Sequence, residues 1–134
     1  MDSGDGGVVA RFVDQALLDA PLTVVKGQAR DFTYVDDACR ATLAAAYFGG
    51  PGAVYNVGTG AATAISELAD AVSCAVRGSA FAACREYVEP RWCDDVVGRC
   101  VDINRARTDL DYIPAWSLRA GLAETVRWQR ERLR

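Results

Sequence analysis

The chain has no histidine and a single lysine, Lys26, among its 134 residues. A histidine base, a histidine metal ligand and any lysine chemistry outside Lys26 are therefore excluded. A net charge of -3 and a sequence pI of about 4.9 offer no basic face, which argues against a nucleic-acid partner. Cys39, Cys74, Cys84, Cys93 and Cys100 are odd in number, form no C-x-x-C pair and lack zinc-knuckle spacing. They read as reduced, covered thiols, which fits a cytoplasmic protein. No apolar run approaches the roughly 18 residues that would span a membrane. The opening MDSGDGG has neither the basic nor the apolar region of a secretion signal.

Half the residues (51%) are hydrophobic and 25% charged, an ordinary globular balance that can build one core. Apolar residues recur at helical spacing over 8–19, where Val8, Val9, Phe12, Val13, Ala16 and Leu17 share a face, and Pro21 closes the pattern. Leu22–Val25 reads as a short strand with Lys26-Gly27-Gln28 as its turn. Residues 32–35 read as a second extended piece. Asp36 or Asp37 is then expected to cap a helix that ends at Gly49-Gly50-Pro51-Gly52. Residues 53–57 look like a buried strand that bends at Gly58. Thr63 is the expected cap of an amphipathic helix carrying Ile65, Leu68, Ala69, Val72 and Val76, and Gly78 ends it. A strand over 81–88, a short helix over 102–110 and a last helix opening at Ser117 complete the reading. Tyr34 and Tyr55 are expected in the core, and Trp92, Trp116 and Trp128 as packing residues. Alternating strands and helices give an α/β class, with few short strands and about five helices. The shortage of strands points to part of a larger sheet.

Four blocks stand out in order: RDFTYVDD at 30–37; YNVGTG at 55–60 followed by ISELADAV; EPR at 89–91 with acids behind it; and a tail from Asp102 through LDYIP and SLRAGL to TVRW. This series resembles the C-terminal half of the extended short-chain dehydrogenase/reductases, in particular the NAD-dependent sugar-nucleotide epimerases and dehydratases. The resemblance runs from about residue 8 to the end. It implies an incomplete Rossmann-type fold: one substrate-binding portion over 1–134, with the NAD-binding Rossmann part absent.

The resemblance further implies that Arg30 and Arg91 bind the diphosphate of a nucleotide sugar. A guanidinium can fork onto phosphate oxygens in two parallel bonds, which suits it to this role. The family's R-x-G-D pattern is altered to Arg91-Trp92-Cys93-Asp94-Asp95. One of the two acids, Asp95 ahead of Asp94, is expected to bond a ribose hydroxyl or orient the arginine. Asn56, Gly58, Asp36 and Asp37 are read as structural. The family's G-x-x-G-x-x-G loop and Tyr-x-x-x-Lys pair are not in this sequence: Thr63 stands where a third glycine would, and Leu22 lies four before Lys26. The expectation is a chain that grips a UDP- or dTDP-sugar, has no catalytic residues of its own and binds no NAD alone, although the intact family uses NAD. The alternatives are a stand-alone, non-catalytic nucleotide-sugar module and a chain that completes a separate Rossmann partner; a homo-oligomer also stays open.

Overall fold

A computed structural model describes residues 7–78, 84–90 and 98–132. Its elements run α1 (Val8–Leu17), β1 (Leu22–Val25), β2 (Ala29–Arg30), α2 (Val35–Phe48), β3 (Thr63–Ala64), α3 (Ile65–Arg77), β4 (Arg85–Val88), β5 (Gly98–Arg99), α4 (Asn104–Leu110) and α5 (Leu118–Arg132). This is the α/β arrangement of five helices and short strands that the sequence implies. β1 pairs in parallel with β4, Leu22 opposite Arg85 through Val25 opposite Val88. In a second small sheet β2 lies between β3, antiparallel, and β5, parallel.

The main core forms where α1, α3 and α5 close over β1. Leu22 and Val24 alternate inward from the strand, as period-two geometry requires. They meet Phe12, Val13 and Ala16 of α1, Leu68, Ala69 and Val72 of α3, and Leu122 and Val126 of α5. Polar groups fasten the rim. Gln129 of α5 donates to Asp14 of α1 at 2.7 Å, and Arg77 of α3 reaches Asp19 at 2.9 Å and the Ala16 carbonyl at 3.2 Å. A smaller cluster joins α2 to α4 through Ala41, Ile103, Ala106, Leu110 and Tyr112.

Several local expectations are corrected. The second extended piece is Ala29–Arg30, not 32–35, which carry no ladder. Tyr34 packs instead on Trp116, with ring centroids 4.2 Å apart, and α2 begins at Val35. Residues 53–57 make no strand among the described residues; Val54 points outward, 76% exposed. Thr63 belongs to β3 and does not cap α3. Ala64 takes the cap position, and the Glu67 carboxylate accepts its N–H at 3.2 Å. α1 ends at Leu17, two residues early, because Asp19 turns left-handed at φ 57°. Trp128 is half-exposed beneath the Arg132 guanidinium and is not packed inside. The last helix is capped as expected, the Ser117 hydroxyl accepting the Ala120 N–H at 3.2 Å. The first part of the expected 81–88 strand, up to residue 83, lies outside the described residues.

Candidate functional site

Arg30 ends β2, the middle strand of the second sheet, and its stem is half-covered there. The guanidinium donates to the Ala29 carbonyl at 2.8 Å and to Gln28 Oε1 at 2.9 Å. These bonds hold its plane at the edge of a cleft of about 490 Å³. α1 supplies Val8 and Arg11 to the cleft, β1 supplies Thr23 and Val25, and Glu89 follows β4. Glu89 in turn carries the Lys26 ammonium as an exposed pair. The cleft thus presents two arginines and an amide at the point where both small sheets meet α1.

The acid beside Arg30 does different work. Asp31 turns toward the Gly58-Thr59-Gly60 loop and accepts three bonds there: Thr59 N–H at 2.9 Å, Thr59 Oγ1 at 2.5 Å and Gly60 N–H at 2.9 Å. The close approach requires Gly58. A Cβ at that position would stand 2.7 Å from Asp31 Oδ2 and 2.1 Å from Val101 Cγ2. Gly58 is therefore structural through crowding on its α-carbon. Asn56 is structural as well, but over a long span: its amide donates to the Asp102 carbonyl at 3.3 Å, not to local backbone.

Asp37 is fully buried, and it is not the helix cap expected from its position. Tyr34 holds the cap position, and the Asp37 carboxylate accepts N–H groups from Ala115 at 3.0 Å and Trp116 at 3.0 Å, in the connection between α4 and α5. Arg40, one turn on, stands 3.5 Å from the same carboxylate. Asp36 stays in the first turn of α2, where a negative charge suits the helix dipole. Nearby, the buried Tyr112 phenol donates to the Gly58 carbonyl at 2.9 Å. Burial raises its pKa above the ordinary tyrosine value, and the Asp37 and Asp31 carboxylates add to the rise.

Among the predicted site residues, Arg30 is placed at the cleft. Arg91, Asp94 and Asp95 lie outside the described residues. Sequence reasoning missed Arg11 and Gln28 as cleft residues and Asp31 as the anchor of the glycine loop. For Asp31 a signal existed: a loop reading G-T-G exposes backbone N–H groups that want an acceptor, and an acid beside a conspicuous arginine can supply it.

Comparison with known proteins accords with this arrangement. Residues 1–58 match the model of the NAD dependent epimerase/dehydratase family. A UDP-glucose 4-epimerase of Mycolicibacterium smegmatis is 34% identical over 96% of this chain and 41% of its own length. A UDP-N-acetyl-alpha-D-glucosaminuronate decarboxylase of Bacillus cytotoxicus is 31% identical over 97% of the chain and 42% of its own. The solved UDP-glucose 4-epimerase of Thermotoga maritima, determined with UDP-glucose, superimposes with a TM-score of 0.86 at 32% identity, covering 100% of this chain and 42% of that one. The chain therefore spans about two fifths of the length of the relatives it matches. In sequence and fold the chain thus resembles the C-terminal part of the Rossmann-type members of the NAD-dependent epimerase/dehydratase family.

Proposed function

We propose that the chain binds the diphosphate of a UDP- or dTDP-sugar at the Arg30 cleft, and that it is the gripping part of an epimerase or dehydratase without hydride chemistry of its own. The observation that carries this reading is the placement of Arg30: a half-covered guanidinium, held in plane by Gln28 and the Ala29 carbonyl, at the edge of a 490 Å³ cleft. A dianionic diphosphate needs fixed cations, and a guanidinium locked at a strand end supplies one with little ordering left to lose on binding. Arg91 is assigned as the second phosphate ligand, with Asp95, or else Asp94, on the ribose or on that arginine.

The residues present do not fit a dinucleotide. Of the described glycine-rich stretches, Gly58-Thr59-Gly60 comes nearest to a phosphate loop, and the N–H groups of Thr59 and Gly60 are already taken by the Asp31 carboxylate. An anion would have to displace a like charge to reach them. No step of hydride transfer is therefore assigned to this chain.

A specific observation favours a partner. Leu43, Tyr47 and Phe48 of α2, together with Val54 and Ile113, are large apolar side chains left at least 60% exposed around the smaller core. Beside them, residues 53–57 join no ladder among the described residues. Such an edge and face suit a Rossmann-bearing sheet supplied in trans. Among the described residues no helix is long and apolar enough to cross a membrane. Cys39, Cys84 and Cys100 are exposed free thiols, against the covered positions expected, and Cys74 is half-covered; reduced thiols suit action in the cytoplasm.

Calorimetric titration with UDP, dTDP and GDP tests the proposal, alongside an assay for NAD-dependent turnover of UDP-glucose. Saturable binding of UDP or dTDP without turnover is the expected result. Absence of binding by all three nucleotides, or turnover by the pure chain, would overturn it.

A further inference from the structure

Two donor side chains of the Arg30 cleft, Gln28 and Arg11, keep N–H groups for which no acceptor stands among the described residues. Gln28 turns its Oε1 to Arg30, and the direction is forced, since a guanidinium only donates. Its Nε2 is thereby aimed the other way, where it is buried without an acceptor. A buried amide donor left unpaired is costly and uncommon in native folds, and a bound ligand is one of the explanations for it. Arg11 lines the same cleft from the exposed side of α1. Its recorded contact is the neighbouring Phe12 ring, 5.9 Å from the guanidinium carbon, and no carboxylate among the described residues pairs with it. Of the described acceptors of the cleft, Thr23 Oγ1 accepts from Gln15 Nε2 at 3.1 Å and Glu89 Oε1 holds Lys26.

From this imbalance we propose that Arg11 and Gln28 are further ligand-binding residues, which with Arg30 form a three-donor cradle for the diphosphate. The assignment rests on the diphosphate reading of the cleft and extends it to two further side chains that line it. Arg30 and Arg11 contribute charge from two elements, β2 and α1, so the anion would be clamped between helix and sheet. The Gln28 amide supplies a neutral donor between them, and its bond to Arg30 couples the two. A ligand rich in oxygen acceptors and negative charge matches this set; a cation or an amine does not.

UDP and inorganic pyrophosphate titrated into the intact chain test the assignment. Arg11→Gln should weaken both ligands about five- to tenfold, and Gln28→Met about fivefold, as the loss of one charged or neutral hydrogen bond implies. Arg107→Gln, which removes the same charge from an exposed site on α4, should change affinity less than about twofold. Because Arg11 is exposed, its variant reports on binding even where Gln28→Met disturbs the fold. Wild-type affinity in both the Arg11 and Gln28 variants, with Arg30→Ala weakened, would overturn the cradle and leave the grip at Arg30 standing. No binding of either probe by the wild-type chain would remove both.

Discussion

The two apolar clusters of this molecule are built from different stock. The larger one closes on itself: Phe12, Leu68 and Val72 are fully buried, and three helices and a strand contribute to it. The smaller one buries Ala41, Ile103, Ala106, Leu110 and Tyr112, while large residues at its rim, Tyr47 at 80% and Phe48 at 72% exposure, face outward. A small cluster rimmed by exposed large side chains resembles one side of an interface more than a finished core. The first cluster makes the chain a folded unit. The second leaves an apolar rim uncovered among the described residues.

The sharpest way to break this contrast is to empty a residue from the first cluster. Phe12→Ala should cost about 3–5 kcal/mol in urea denaturation, the range for deleting a buried aromatic ring. A loss below about 1 kcal/mol would mean that this cluster is not the stabilising one. Next in size is the clamp that joins the clusters. Asp37→Ala should cost roughly 3 kcal/mol, since two backbone donors in the α4–α5 connection lose their acceptor at about 1–3 kcal/mol each. Hydrogen exchange at Ala115 and Trp116 should speed up with it; unchanged exchange there would show that the clamp holds nothing.

A smaller effect belongs to Tyr112, where the second cluster meets the glycine loop. Its raised pKa means that the unfolded chain releases the phenolic proton first as pH climbs past the ordinary value of about 10. The contribution is thus fully present below pH 10 and is lost as pH rises toward the folded value. Tyr112→Phe should flatten stability against pH in that alkaline window and cost about 1 kcal/mol at neutral pH for the bond to Gly58. An unchanged alkaline slope would remove Tyr112 as its source. Smallest of all, Phe48→Ser should leave the unfolding midpoint within about 0.5 kcal/mol of wild type while reducing self-association in light scattering. A clear destabilisation would show that the aromatic is already packed within this chain.

How much of this was legible in the sequence depended on the range of the forces involved. The helices were, because a 3.6-residue period is printed locally: Phe12, Val13 and Ala16 in α1 and Leu68, Ala69 and Val72 in α3 appear on the expected faces. β2 was not, since a two-residue strand leaves no alternation to read, and the aromatic run after it packs rings instead of joining a ladder. Asp37 was misread for the same reason. Cap chemistry is local and was assumed, whereas its true partners lie 78 and 79 residues away. At the site, Arg30 was legible because a cation before an aromatic strand-like run needs a reason. Arg11 and Gln28 were not, because a cleft shared by a helix and a turn exists only after folding.

The central claim is that Arg30 grips a diphosphate, and calorimetry with UDP on the wild-type chain and on Arg30→Ala tests it most directly. Saturable binding by the wild type, at least about tenfold weaker in the variant at an unchanged urea midpoint, is the predicted result. Equal affinity in the two proteins would contradict it.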